Sequence, residues 1–225
     1  MYPARSSRAS EALPPRTAGA PLPRPSPVLW ALILACCAVE LTLMAADWGL
    51  VGTRQWRGLA YQYGAFWAGL LYNWQPNYAA QPWTMFLSYA FLHGGFWHLA
   101  GNMVTLLALG LPVERRAGRV GFLAIYLVSA VGGGAVFGLL APGSQPMVGA
   151  SGALFGLVGA WQYWEWRDRG RAGRSRAPVW RAVIWLAVLN AVLWAALGGL
   201  LAWQTHLGGF LAGWAAAAGL ARRRG

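Results

Sequence analysis

Three histidines, one glycine-flanked serine and one asparagine are the residues best suited to chemistry in this chain. In FLHGGFWHLAGN, His98 and Asn102 are four residues apart and share one face of a helix. The segment MVGASGALFG carries Ser151 in a G-x-S-G arrangement that begins at Gly149, and glycines on both sides let another backbone or a substrate approach the hydroxyl. The segment THLGGFLAGW carries His206, followed by Gly209 and Gly213 at a four-residue spacing that leaves a smooth helical face. A serine hydroxyl becomes a nucleophile when a base adjoins it, and neutral imidazole is the usual base. Side-chain donors such as His98 and Asn102 beside that nucleophile are what an oxyanion hole requires. Taken singly, each motif has a plainer reading: G-x-S-G as a packing surface between membrane helices, and a lone His as a satisfied interior polar group.

The elements that would have to position these residues decide between the readings. Hydrophobic residues make up 57% of the chain and charged residues 11%, against roughly 25% charged in ordinary globular domains. With 15 Trp and 30 Gly, this is the composition of helices packed closely in lipid with aromatic residues at the interfaces. The net charge of +12 comes from Arg placed between apolar runs, which marks topology and not a nucleic-acid surface. Cys36 and Cys37 are adjacent in an apolar run and read as small hydrophobes, with no disulfide or zinc spacing.

Residues 1–27, rich in Pro, Ser and Arg, read as a disordered basic cytoplasmic tail. Residues 28–220 read as an all-α membrane domain of six spans: 28–46, 84–113, 120–141, 147–164, 179–201 and 203–220. The first run is long for the apolar part of a signal peptide, and Glu40 within it is expected to face other helices. Residues 47–83 mix aromatic with polar residues, the composition of an interfacial loop, and 221–225 form a second basic tail. This division puts sixteen Arg on the inner side and only Arg54 and Arg57 outside, so both termini are expected in the cytoplasm, in a bacterial plasma membrane. Spans two, four and six then run from outside to inside. The turn at Gly94 and Gly95 starts the second helix near Phe96, so all three His, Asn102 and Ser151 gather at one depth near the outer face. Such a gathering is improbable by chance in a bundle that avoids polar residues.

H-x-x-x-N on the second span, G-x-S-G on the fourth and H-x-x-G on the sixth resemble the rhomboid family of intramembrane serine proteases. The aromatic loop after the first span and Glu114, Arg115 and Arg116 after the second add to the likeness. The resemblance implies that Ser151 is the nucleophile and His206 its general base. It also implies that His98, Asn102 and the Ser151 backbone N–H hold the oxyanion, that Gly149 belongs to the serine element, and that His93 supports the site. Phe155 stands where the family often has Tyr, and Thr205 where it often has Ala; both changes leave the reacting groups in place. The expected activity is endopeptidase cleavage of transmembrane proteins, single-span ones above all, within the bilayer. The mechanism is a Ser–His dyad and an acyl-enzyme, without metal or organic cofactor. The alternative is a catalytically silent rhomboid-like binder of transmembrane clients. A metal or proton site in a small transporter would leave G-x-S-G unexplained.

Overall fold

The computed structural model describes residues 25–141 and 145–222. The bulk of the N-terminal tail, the last three residues and part of the 141–146 turn lie outside the described residues. Among the described residues every regular element is helical. Helix α1 (Pro27–Asp47) opens where the sequence permits: the Ser26 hydroxyl accepts from the Leu29 N–H, and Pro27 takes the first position, where no N–H is needed. Helix α1 thus starts at Pro27, one residue before the apolar run read from residue 28. Helix α2 (Trp56–Gly64), a 3-10 turn (Ala68–Leu71), helix α3 (Gln81–Ser88) and a second 3-10 turn (Tyr89–Phe91) follow. Next come α4 (Phe96–Leu140), α5 (Ser151–Arg171), α6 (Ala177–Ala196) and α7 (Trp203–Arg222).

Helix α4 is two helices in one. Gly118 breaks it with φ 77° and ψ 168°, and the limbs fold back on each other. A methyl group built at Gly110 would come within 3.4 Å of the Phe122 ring, whereas twelve residues of straight helix would hold these positions about 18 Å apart. The limbs answer to the second and third apolar stretches. The second is shorter than residues 84–113: its first part folds as α3 and the 3-10 turn, and the continuous helix starts at Phe96, after Gly94 and Gly95. Similarly, 147–150 lie outside the helix, with Gly149 at positive φ and Ala150 as the cap, and α5 starts at Ser151, while Gly198 and Gly199, both at positive φ, follow the end of α6. Among the described residues three helices, α1, α4 and α6, are long and apolar enough to cross a membrane. With 21 and 20 residues, α5 and α7 have the length, but glycine and charged or polar residues lower their hydropathy.

The residues after α1 fold over one end of the bundle instead of trailing away from it. The Phe66 backbone exchanges two 3.0 Å hydrogen bonds with Met147. Its ring stands edge-on to Phe86, Tyr89 and Phe137 at centroid distances of 5.0 to 6.1 Å. The Tyr72 hydroxyl donates to the Gly138 carbonyl at 2.9 Å. At the arginine-rich end, Arg116 pairs with Asp168 at 2.6 Å and lies over Trp164, joining the α4 corner to α5.

The centre is formed by α4, α5 and α7, and α5 meets α7 backbone to backbone. A methyl group at Gly209 would collide with the Gly152 carbonyl, and one at Gly213 with that of Gly156. This is the smooth face expected from the Gly209/Gly213 spacing, and it allows the close approach that lipid-embedded helices achieve with small residues. Helix α6 is the exception to the tight packing, with Val179 its only buried residue.

The glycine contact yields a prediction with an internal control. Gly209→Ala is expected to force α5 and α7 apart and lower thermal stability in detergent by about 1–3 kcal/mol, the cost of overpacking. Gly219→Ala, on the same helix with nothing within 4 Å of the added methyl, is expected to be neutral or slightly stabilising. Equal melting temperatures for the two variants would contradict the backbone-contact account.

Candidate active site

Ser151 is the first residue of α5, delivered there by a short non-helical segment held at both ends. Met147 is bridged to Phe66, and the Gly149 N–H donates to the Tyr89 carbonyl at 3.0 Å. Tyr89 is itself anchored by its hydroxyl, which donates to the Ala130 carbonyl at 2.8 Å. Gly149 sits at φ +122°, and a methyl group there would lie 2.7 Å from His98 Nε2. Backbone freedom and space both demand glycine at this position. The first-turn amides of α5, Ser151 among them, have no partner within the helix and give its start a partial positive charge.

His206 lies in the first turn of α7 and is buried. Three contacts fix its ring. Nε2 is 2.9 Å from Ser151 Oγ. The Phe155 ring, one turn along α5 from the serine, stacks on the imidazole at 4.1 Å and 5°. Nδ1 is 2.6 Å from Oδ1 of Asn190 on α6. Asn190 is not among the residues picked out from the sequence. The signal was nonetheless there: it is the one uncharged polar side chain in α6, an otherwise apolar helix with a single Arg near its start.

His98 borders the same space. Its Nδ1 accepts from the Gly94 N–H at 3.1 Å, so in the neutral ring the hydrogen sits on Nε2, the nitrogen beside Gly149. The His93 ring stands edge-on behind His98, with centroids 5.2 Å apart. Asn102, one turn further along α4, is buried and donates its Nδ2 to the His98 carbonyl at 2.8 Å, leaving Oδ1 unpartnered. The structure thus brings Ser151, His206, Gly149 and His98 to one point, with His93 and Asn102 behind them. Among the described residues no carboxylate is hydrogen-bonded to His206, and no group of three or more His, Cys, Asp or Glu is arranged to hold a metal ion.

The loop carrying His93 is tied to α1 by an ionic junction. Arg57 Nε donates to Asp47 at 2.7 Å, and its Nη1 donates to Glu40 and to the His93 carbonyl, both at 3.1 Å. The Tyr61 hydroxyl donates to the same carbonyl at 2.7 Å. Glu40 is fully buried, and Arg57, on the loop helix, is its counter-ion. Burial alone would lower the guanidinium pKa; hydrogen bonds to Glu40, Asp47 and Tyr61 outweigh it and hold the pKa above its ordinary value.

Residues 79–223 match the family model described as "Rhomboid domain". RHOMBOID-like protein 5 of Arabidopsis thaliana is 35% identical over 139 residues, 56% of this chain and 40% of the relative. The mitochondrial Rhomboid protein 1 of Saccharomyces cerevisiae is 34% identical over 135 residues, 55% of this chain and 38% of the relative. The Rhomboid protease GluP of Bacillus subtilis is 33% identical over 142 residues, 63% of this chain and 27% of the relative. The matched part therefore spans two fifths or less of the length of each of these relatives.

The Arg57 junction can be tested by removing one partner. Arg57→Met strands the buried Glu40 carboxylate, and breaking such a pair costs about 3 kcal/mol or more. That corresponds to a fall of on the order of 10 °C in Tm for a chain of this size. Adding Glu40→Gln is expected to recover part of the loss. A melting temperature unchanged by Arg57→Met would show that the junction does not hold the loop.

Proposed function

The chain belongs to the rhomboid family, and from that membership and the contact between Ser151 and His206 we propose that it is an intramembrane serine endopeptidase. Its apolar helices and its family make it an integral membrane protein. The single observation that carries the catalytic reading is the 2.9 Å separation of Ser151 Oγ and His206 Nε2. The two residues are 55 positions apart in sequence and are joined across the glycine contact between α5 and α7.

In this reading His206 Nε2 takes the Ser151 proton as Oγ attacks the scissile carbonyl. The oxyanion that forms is held by the Ser151 backbone N–H at the positive end of α5 and by the His98 Nε2–H, with the second Asn102 amide hydrogen as a further donor. His206 then gives its proton to the leaving amine, and an ester between Ser151 and the substrate remains. A water deprotonated by His206 hydrolyses that ester and restores the site. Gly149 keeps the approach to Ser151 open, and His93 supports the ring of His98.

The proposed substrates are transmembrane proteins, single-span ones above all, whose helix unwinds locally to expose a carbonyl. A cavity of about 610 Å³ between α6 and α7 supports this: it reaches His206 and is lined by Val183, Leu186, Trp194, Leu207 and Phe210. Such a lining suits apolar side chains from a membrane segment. We further propose six crossings, with both termini on the cytoplasmic side of a bacterial plasma membrane. The distribution of sixteen Arg against two supports the orientation.

The test is cleavage of a model transmembrane substrate by the purified protein in liposomes. Ser151→Ala and His206→Ala are each expected to abolish cleavage with unchanged melting temperature, and the double variant to be no worse than either. Cleavage by Ser151→Ala at the wild-type rate would end the serine-protease reading.

A further inference from the structure

The contact between Asn190 and His206 does more than join α6 to α7. Resting on the protease reading above, we propose that Asn190 is a positioning residue that holds His206 in the tautomer a general base needs, making the reactive unit a Ser151–His206–Asn190 chain. The Asn190 amide is oriented by its own helix. Its Nδ2 donates to the Leu186 carbonyl one turn back on its own helix at 2.9 Å. Turning the amide over would set Oδ1 against that carbonyl, oxygen facing oxygen, and lose the bond. The nitrogen is thereby committed to α6, and it is the oxygen that meets His206 Nδ1 at 2.6 Å.

An amide oxygen can only accept, so Nδ1 must carry the hydrogen. In a neutral imidazole the other nitrogen is then bare. That nitrogen is Nε2, the one 2.9 Å from Ser151 Oγ, and a bare Nε2 accepts the serine hydroxyl hydrogen. The opposite tautomer would point an N–H at Oγ and leave no base. Phe155 fixes the plane of the ring by stacking, but a stack leaves open which nitrogen points where. Asn190 supplies that choice without adding a charge to a buried site, where an unpaired carboxylate would be costly. A wrong tautomer in a serine–histidine unit costs up to about 10⁴ in kcat where the third partner is a carboxylate. A neutral partner in reserve behind a stacked ring calls for a smaller loss.

The test combines kinetics with a direct view of the ring, in full-length protein in liposomes. The chain has three His, so ¹⁵N-histidine labelling gives a small set of imidazole signals, with His206 identified by its absence in His206→Ala. Wild type is expected to show His206 with a protonated Nδ1 and a bare Nε2. Asn190→Leu is expected to shift His206 towards the opposite tautomer and lower kcat by about ten- to a hundredfold, with KM within about twofold. Asn190→Asp, which keeps an acceptor in place, is expected to retain the wild-type tautomer and exceed Asn190→Leu in kcat. If Asn190 only fastened α6, Asn190→Leu would change Tm or KM and leave the tautomer and kcat as they were; that result overturns the inference while the protease reading stands. A wild-type protein that cleaves nothing and is not acylated at Ser151 would overturn the protease reading and this inference with it.

Discussion

Helices α5 and α7 touch through glycine, and the position of Ser151 relative to His206 follows from that contact. With the Gly152 carbonyl lying where a side chain on Gly209 would be, and the Gly156 carbonyl where one on Gly213 would be, the axes come closer than any larger residue permits. Ser151 adjoins the first of these contacts on α5 and His206 lies one turn before it on α7. The separation of hydroxyl and imidazole is therefore set by backbone packing, with little left to side-chain adjustment. In lipid there is no hydrophobic force between helices, so van der Waals contact and hydrogen bonds have to supply this precision. The same contact explains the break between tight and loose parts of the molecule. The centre built from α4, α5 and α7 is rigid by close approach, whereas α6 stands largely free and reaches the centre through Asn190 and the apolar cavity wall.

Polar groups inside an apolar bundle must find partners, and here the partnerships also build the site. Glu40 is buried on α1 and is answered by Arg57, which at the same time holds the His93 carbonyl. His93 in turn backs the ring of His98, whose tautomer is set by the Gly94 N–H. The residues after α1 are thus part of the scaffold: through Arg57 and Tyr61 they grip the turn that leads into α4, and through Phe66 they grip the strand-like segment that leads into Ser151.

Much of this was legible in the sequence because the signals are local. Apolar runs and the Arg partition give the helices and their order, the Gly94–Gly95 turn gives the start of α4 at Phe96, and the Gly209/Gly213 spacing gives the packing face. The serine and histidines stood out because polar residues are rare here. What was hidden depends on contacts between distant segments. Nothing in residues 47–83 announces that Phe66 pairs with Met147 or that Arg57 reaches Glu40 and His93, since those bonds exist only once the chain folds over the bundle. The apolar composition of 84–95 matches a span, yet the turn at His93–Gly95 makes it a separate short helix. Asn190 escaped for a different reason. A search for a third partner to His206 confined to carboxylates finds none at the right depth, and an amide does the same geometric work without charge.

A Ser151 nucleophile activated by His206 would be seen most plainly as a covalent adduct. Purified protein in liposomes would be treated with a fluorophosphonate, digested, and analysed by mass spectrometry. One adduct is expected, on the peptide containing Ser151, with labelling suppressed in His206→Ala at unchanged folding. An adduct on another residue, or labelling of Ser151 at the same rate without His206, would contradict this activation.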